Sequence, residues 1–239
     1  MLKNMAKMRD VWNQKGVFFA VENRERKKYS VVFEQLPKVR VVYFDNHLHS
    51  VGAALEVLRA KAVKIGYDYY VQADDNCVFG PKALANLVRA CHTWGRPNHM
   101  AGFHGTAPHF DAKRLRTELK QHGGVSSYRK MAWIFRVVPH VIYSQFQYPD
   151  DLPCYGDRYF TFWMIANGFF EFRATPDAPF TKKRFMPGGI GTKESRKETA
   201  RGLARIGVDF PEVFGPHEVI FPWEKILEYN RGLAKAKTR

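Results

Sequence analysis

The chain has 239 residues, 45% hydrophobic and 15% aromatic, which suits one large or two small domains and excludes a disordered chain. No apolar run approaches the ~18–20 residues of a membrane helix, and residues 1–15 mix charged and apolar side chains unlike a secretory signal; with three cysteines and no Cys-x-x-Cys spacing, the expected setting is a reducing cytoplasm with no membrane partner. The 38 Lys+Arg outweigh 23 Asp+Glu to give a net charge of +15, which either draws in a polyanion such as nucleic acid or serves solubility.

In chain order, residues 5–15 predict a short amphipathic helix. Val17–Val21 is a continuous apolar run with β-branched and aromatic residues, the pattern of a buried strand. A charged stretch from Glu22 to Lys28 follows, Tyr29–Glu34 reads as helical, and Val39–Phe44 is the next strand, closed by Asp45-Asn46. Residues 50–65 predict a helix with Ser50 as N-cap, an apolar stripe of Ala54, Leu58, Ala62 and Ile65, and Gly66 as the stop. Tyr67–Ala73 is a strand running straight into Asp74-Asp75-Asn76. Residues 81–91 form a helix with Pro81 in the first position and Leu84, Leu87, Val88 and Cys91 along one face.

The second half is more mixed. Met100–Phe103 and Met131–Val138 read as strands, Asp157–Asn167 as a helix ended by Gly168, and Phe169–Ala174 as a strand. Pro176–Thr192 reads as loop. Lys193–Ile206 is a basic helix capped by Thr192, and Pro222 starts a last helix. Alternating strands and helices with short links predict an α/β domain whose sheet is mixed but mainly parallel and flanked by helices. No linker divides the chain, so one domain is expected over residues 1–239.

The basic residues concentrate in residues 1–40, 111–140 and 181–239, while acids cluster at Asp74-Asp75 and at Asp150, Asp151 and Asp157. In open α/β sheets, ligands bind beyond the carboxyl ends of strands. Two carboxylates and an amide there make a hard-oxygen set suited to Mg²⁺ or Mn²⁺, ions that hold a diphosphate and neutralise a leaving group. The same three residues would also serve as a turn capping the next helix. His104, His109 and the Cys91-His92 pair lack the spacing of a zinc site.

The run from Ser50 to Ala54, the helix after it, and Gly66 through Gln72-Ala73-Asp74-Asp75-Asn76 resemble the core of GT-A glycosyltransferases. In that fold a strand delivers an Asp-x-Asp motif to a sugar nucleotide. Tyr155-Gly156-Asp157-Arg158, with Ala166-Asn167-Gly168 at the far end, resembles the family's acid-bearing helix, although Gly156 stands where the family has Glu. The Gln-x-Asp-Asp-Asn form and the loop Pro187-Gly188-Gly189-Ile190-Gly191 look most like the TET/JBP-associated branch. That branch includes phage enzymes that glycosylate hydroxymethylated pyrimidines in DNA. The resemblance runs over residues 17–206. It departs in one respect: GT-A folds begin with a strand whose following loop contacts the nucleotide base, and that strand precedes a helix matched here by residues 5–15, with which this chain starts.

The resemblance implies a Rossmann-like GT-A domain, with residues 1–100 forming a nucleotide-sugar half and residues 101–239 an acceptor half. The implied reaction moves a sugar, from a UDP-sugar most simply, to a hydroxymethylated pyrimidine in DNA. Asp74 and Asp75 would hold Mn²⁺ or Mg²⁺, with His217 as a further ligand late in the chain. Gln72, Asn76, Gly189, Lys193 and Arg196 would join Asp74 and Asp75 in binding the nucleotide sugar, the glycines and the helix start suiting a phosphate. Asp157 would be the general base; as a residue type at that place it is equally a helix N-cap.

Lys113, Arg114, Arg116, Arg129, Lys130 and Arg136 are expected to meet DNA phosphates, which they would neutralise without regard to sequence. Trp133 and Phe135 would stack a base extruded from the duplex, or pack in the core. Three other functions use the same residues: a GT-A enzyme acting on a glycan or protein, a metal-dependent nuclease built on Asp74, Asp75 and Asp157, and a DNA-binding module without chemistry.

Overall fold

A computed structural model describes residues 18–34, 39–48, 50–73, 77–80, 82–94, 135–168, 180–182 and 196–211. In chain order its elements are β1 (Phe18–Glu22), α1 (Arg26–Glu34), β2 (Arg40–Phe44), α2 (Val51–Ile65), β3 (Tyr69–Ala73), β4 (Cys77–Phe79), α3 (Ala83–Trp94), β5 (Phe135–Pro139), α4 (His140–Tyr143), α5 (Gly156–Ala166), β6 (Phe180–Lys182) and α6 (Arg196–Asp209). Two compact units share these elements. One gathers Met1–Tyr67, Phe146–Gly156 and Phe185–Arg205; the other gathers Asp68–Gln145, Asp157–Arg184 and Ile206–Arg239.

In the first unit, β1 and β2 pair in parallel, from Phe18 opposite Arg40 to Glu22 opposite Phe44. Parallel neighbours need a crossover, and here it is a short 3₁₀ turn at Asn23–Glu25 followed by α1. Phe33 of α1 is buried and its ring lies 5.4 Å from that of Phe19. This strand–helix–strand unit runs from Phe18 to Phe44. Both strands fall where the sequence places them, at Val17–Val21 and Val39–Phe44. Residues 5–15 lie outside the described residues.

Helix α2 packs on both strands. Its ends follow the sequence: the Ser50 hydroxyl accepts from the Ala53 amide at 3.0 Å, and Gly66 closes the helix in the left-handed region at φ 76°. Gly52 is where the helix meets the segment 149–152. Its amide donates to the Leu152 carbonyl at 2.9 Å, and a Cβ there would run into the Pro149 carbonyl.

In the second unit, β3 and β5 pair antiparallel, with Tyr70 opposite Val138 and Gln72 opposite Arg136. Strand β5 is enclosed on both faces: Arg136, Val137 and Val138 are all fully buried. The rings of Tyr70, Tyr143 and Phe160 follow one another at 5.3 and 5.5 Å, and the Tyr70 hydroxyl shares a hydrogen bond with His140 Nδ1. Burial, with Asp68 nearby, pushes the Tyr70 phenol above its ordinary value. Phe160, Phe162, Met164 and Ile165 of α5 are all buried, so the helix is enclosed around most of its circumference.

The fold is mixed α/β, as the sequence implies, but among the described residues only β1 and β2 are parallel; β3/β5 and β4/β6 are antiparallel. Phe180–Lys182, expected in a loop, is a strand because it pairs with Cys77–Phe79. The basic helix after Thr192 is described from Arg196 and extends to Asp209, and α5 is followed by Gly168 at φ 80°. The strands read at 100–103 and 169–174 and the last helix lie outside the described residues. Among the described residues no helix is long and apolar enough to cross a membrane.

Candidate functional site

Parallel pairing brings the carboxyl ends of β1 and β2 side by side, the edge where α/β sheets receive ligands. Glu22, Asn23 and Arg24 leave β1 there, and Asp45 and Asn46 leave β2. Asn23 Nδ2 donates to Asp45 Oδ1 at 2.8 Å, and both residues are exposed. Asn46 Nδ2 donates to Glu22 Oε1 at 2.9 Å and to the Ser50 carbonyl at 3.0 Å, while Asn46 Oδ1 accepts from the Ser50 amide at 3.0 Å. The other Glu22 oxygen forms an ion pair with Arg24 Nε. The Ser50 hydroxyl that caps α2 also donates to the Asp150 carbonyl. The result is a polar rim of amides and carboxylates with an exposed edge. Sequence reasoning missed these residues as a site. The signal was two strands, each ending in an acid and an asparagine.

The second polar centre lies in the other unit. Arg136, in the middle of β5, directs Nε and Nη2 to Gln72 Oε1 at 3.0 and 2.6 Å. Its Nη1 donates to the Asp157 carbonyl at 3.1 Å and lies 3.4 Å from Thr161 Oγ1. The Thr161 hydroxyl donates to the same Asp157 carbonyl at 2.8 Å. The guanidinium carbon sits 4.5 Å from the centre of the Phe160 ring. Asp157 opens the first turn of α5 and is half-buried; among the described residues no hydrogen bond or ion pair occupies its carboxylate. Tyr155, two residues earlier, holds a left-handed φ of 62°, a conformation costly for a side chain with a Cβ.

The expected site residues therefore separate. Gln72, Arg136 and Asp157 are brought together. Arg136 does not meet DNA: it is fully buried and its fork is spent on Gln72 and the start of α5, so its place among the phosphate contacts is corrected. Gln72 gives its amide oxygen to Arg136. Phe135 lies in β5 and Arg196 begins α6. Asp74, Asp75 and Asn76 follow β3 directly in sequence and lie outside the described residues, as do Lys113, Arg114, Arg116, Arg129, Lys130, Trp133, Gly189, Lys193 and His217. Among the described residues no group of three or more His, Cys, Asp or Glu could hold a metal ion. The donor set Asp74-Asp75-Asn76 suits a hard divalent cation by its chemistry, two carboxylates and an amide oxygen.

With this geometry in view, the fold can be compared with solved structures. It matches S. aureus TarS 1–349 with a TM-score of 0.52 at 11% identity, over 95% of this chain and 64% of that one. The same figures hold for TarS 1–349 in complex with UDP. A longer TarS structure matches with a TM-score of 0.51 at 10% identity, over 87% of this chain and 36% of its own. The likeness is one of fold. This chain spans less than two thirds of the TarS chains it matches. Neither a protein-family profile nor a curated protein sequence matches the chain.

Proposed function

We propose that the chain is a glycosyltransferase that takes a sugar from a UDP-sugar and passes it to a hydroxymethylated pyrimidine in DNA. The observation that carries the transferase reading is the fold shared with UDP-bound TarS. The arrangement of Gln72, Arg136 and Asp157 supports it, since it joins the strand leading to Asp74-Asp75 to the turn bearing Asp157. The polar rim at the ends of β1 and β2 offers amide and carboxylate partners for a nucleoside, and it lies where such sheets bind nucleotides.

In this reading Asp157 is the general base. Its carboxylate takes the proton from the acceptor hydroxyl as that oxygen bonds to the anomeric carbon. The bond from that carbon to the diphosphate oxygen breaks, and UDP leaves with the electron pair. Asp74 and Asp75, with Asn76, would hold Mn²⁺ or Mg²⁺, which supplies charge neutralisation of the departing diphosphate; His217 is a candidate further ligand. Gly189, Lys193 and Arg196 would bind the phosphates.

The DNA acceptor is supported by the net charge of +15, with Lys113, Arg114, Arg116, Arg129 and Lys130 as proposed phosphate contacts. A target base inside a duplex must leave the stack to be reached.

The test is incubation with Mn²⁺, a panel of nucleotide sugars, and plain or hydroxymethylated DNA. UDP release with a hexose or pentose mass gain on the modified nucleoside is expected. UDP release with no gain on any nucleoside would remove DNA as acceptor, and no nucleotide release at all would remove the transferase reading. Raising salt from about 50 to 200 mM should cut transfer to DNA steeply, about tenfold or more, while hydrolysis of the donor by water changes little.

A further inference from the structure

We propose that Arg136 is a positioning residue that fixes the strand leading to Asp74-Asp75 against the turn that carries Asp157; the inference rests on the glycosyltransferase reading. Gln72 stands two residues before Asp74 and directly opposite Arg136 in the β3/β5 ladder, so register alone sets the two side chains on one face. Two N–H groups of the guanidinium converge on the Gln72 oxygen, and a third reaches the Asp157 carbonyl. One rigid planar group thus spans two elements. Its orientation is held by Phe160 beneath it, and the carbonyl it grips is held by the Thr161 hydroxyl.

Packing alone does not call for an arginine here. Where all the polar partners of such a buried set are replaced together, apolar side chains of similar volume commonly serve stability as well or better. What an apolar side chain cannot do is tie Gln72 to Asp157. Reactions between positioned groups lose about a hundredfold for an error of about 1 Å. Lysine at 136 would keep the charge but could not bond both elements at once.

The test uses the whole chain with Arg136→Lys, Asp157→Ala, their double variant, Gln72→Leu and Gln72→Glu. UDP affinity, kcat and KM are measured on the folded fraction of each. Arg136→Lys should keep UDP affinity within about threefold while kcat falls about a hundredfold. Adding it to Asp157→Ala should cost less than about threefold more, because the two residues act as a unit. Gln72→Leu should lose kcat in the same way, and Gln72→Glu, which keeps an acceptor for the same two N–H groups, should recover at least tenfold over it.

A residue that only stabilises the fold would shift the melting temperature and leave kcat per folded molecule alone. Folded Arg136→Lys with kcat within threefold of the parent, or losses that multiply with Asp157→Ala, would overturn the proposal. If Arg136→Lys does not fold, equal kcat in the two Gln72 variants overturns it. A parent protein that binds no UDP and turns over no sugar nucleotide removes the transferase reading and this inference with it. An active parent with unaffected variants removes the positioning role alone.

Discussion

At the ends of β1 and β2, Asn23 and Asp45 bond to each other in full view of water, whereas Arg136 bonds Gln72 and the Asp157 carbonyl out of its reach. The two centres carry similar chemistry, amides and charged groups, under opposite conditions. An exposed hydrogen bond exchanges readily with water or a ligand, so its net worth to the fold is about 0.5–1.5 kcal/mol. A buried one cannot be exchanged, and removing one partner strands the other. The rim is suited to receive a molecule that comes and goes, and the enclosed fork is suited to hold two pieces of the protein in place.

The largest effect should come from the unoccupied end of the enclosed centre. Asp157→Ala is expected to lower kcat about 10²–10⁴-fold with donor binding intact, measured as UDP release in the presence of acceptor. Next is Arg136→Met, which leaves the Gln72 oxygen without two donors and the Asp157 carbonyl without one. A loss of about 3 kcal/mol in urea unfolding is expected; a loss under about 1 kcal/mol would mean the fork is not enclosed as described. Gly52→Ala should cost about 1–3 kcal/mol by overpacking against the Pro149 carbonyl, with kcat per folded molecule unchanged. The smallest effect belongs to Arg205→Ala. It removes an exposed pair with Asp151 at 2.7 Å and should shift stability by about 0.5 kcal/mol or less.

The contrast also shows what the sequence could reveal. Helix α2 was legible end to end because Ser50 and Gly66 are local signals that act through the neighbouring backbone. The pairing of β4 with β6 was not, since Cys77–Phe79 and Phe180–Lys182 are brought together only by the folded chain. The same difference governs the sites. The place of Asp157 at a helix start was readable from its immediate neighbours. Arg136 was counted with the DNA-facing cations because net charge weighs every arginine alike, although its neighbours Val137 and Val138 belong to a strand buried on both faces. A lone charge within such a run is better read as a core hydrogen-bonding group. The β1/β2 rim escaped notice because Glu22-Asn23 and Asp45-Asn46 look like separate turns until parallel pairing sets them side by side.

The division of labour between the two centres is tested most directly by UDP affinity and kcat in the double variant Asn23→Ala/Asp45→Ala, set beside Asp157→Ala. The account predicts a UDP Kd raised about tenfold or more in the first with kcat at saturating donor within about threefold of the parent, and the reverse in the second. An unchanged UDP Kd in Asn23→Ala/Asp45→Ala, or a UDP Kd raised tenfold in Asp157→Ala, would contradict it.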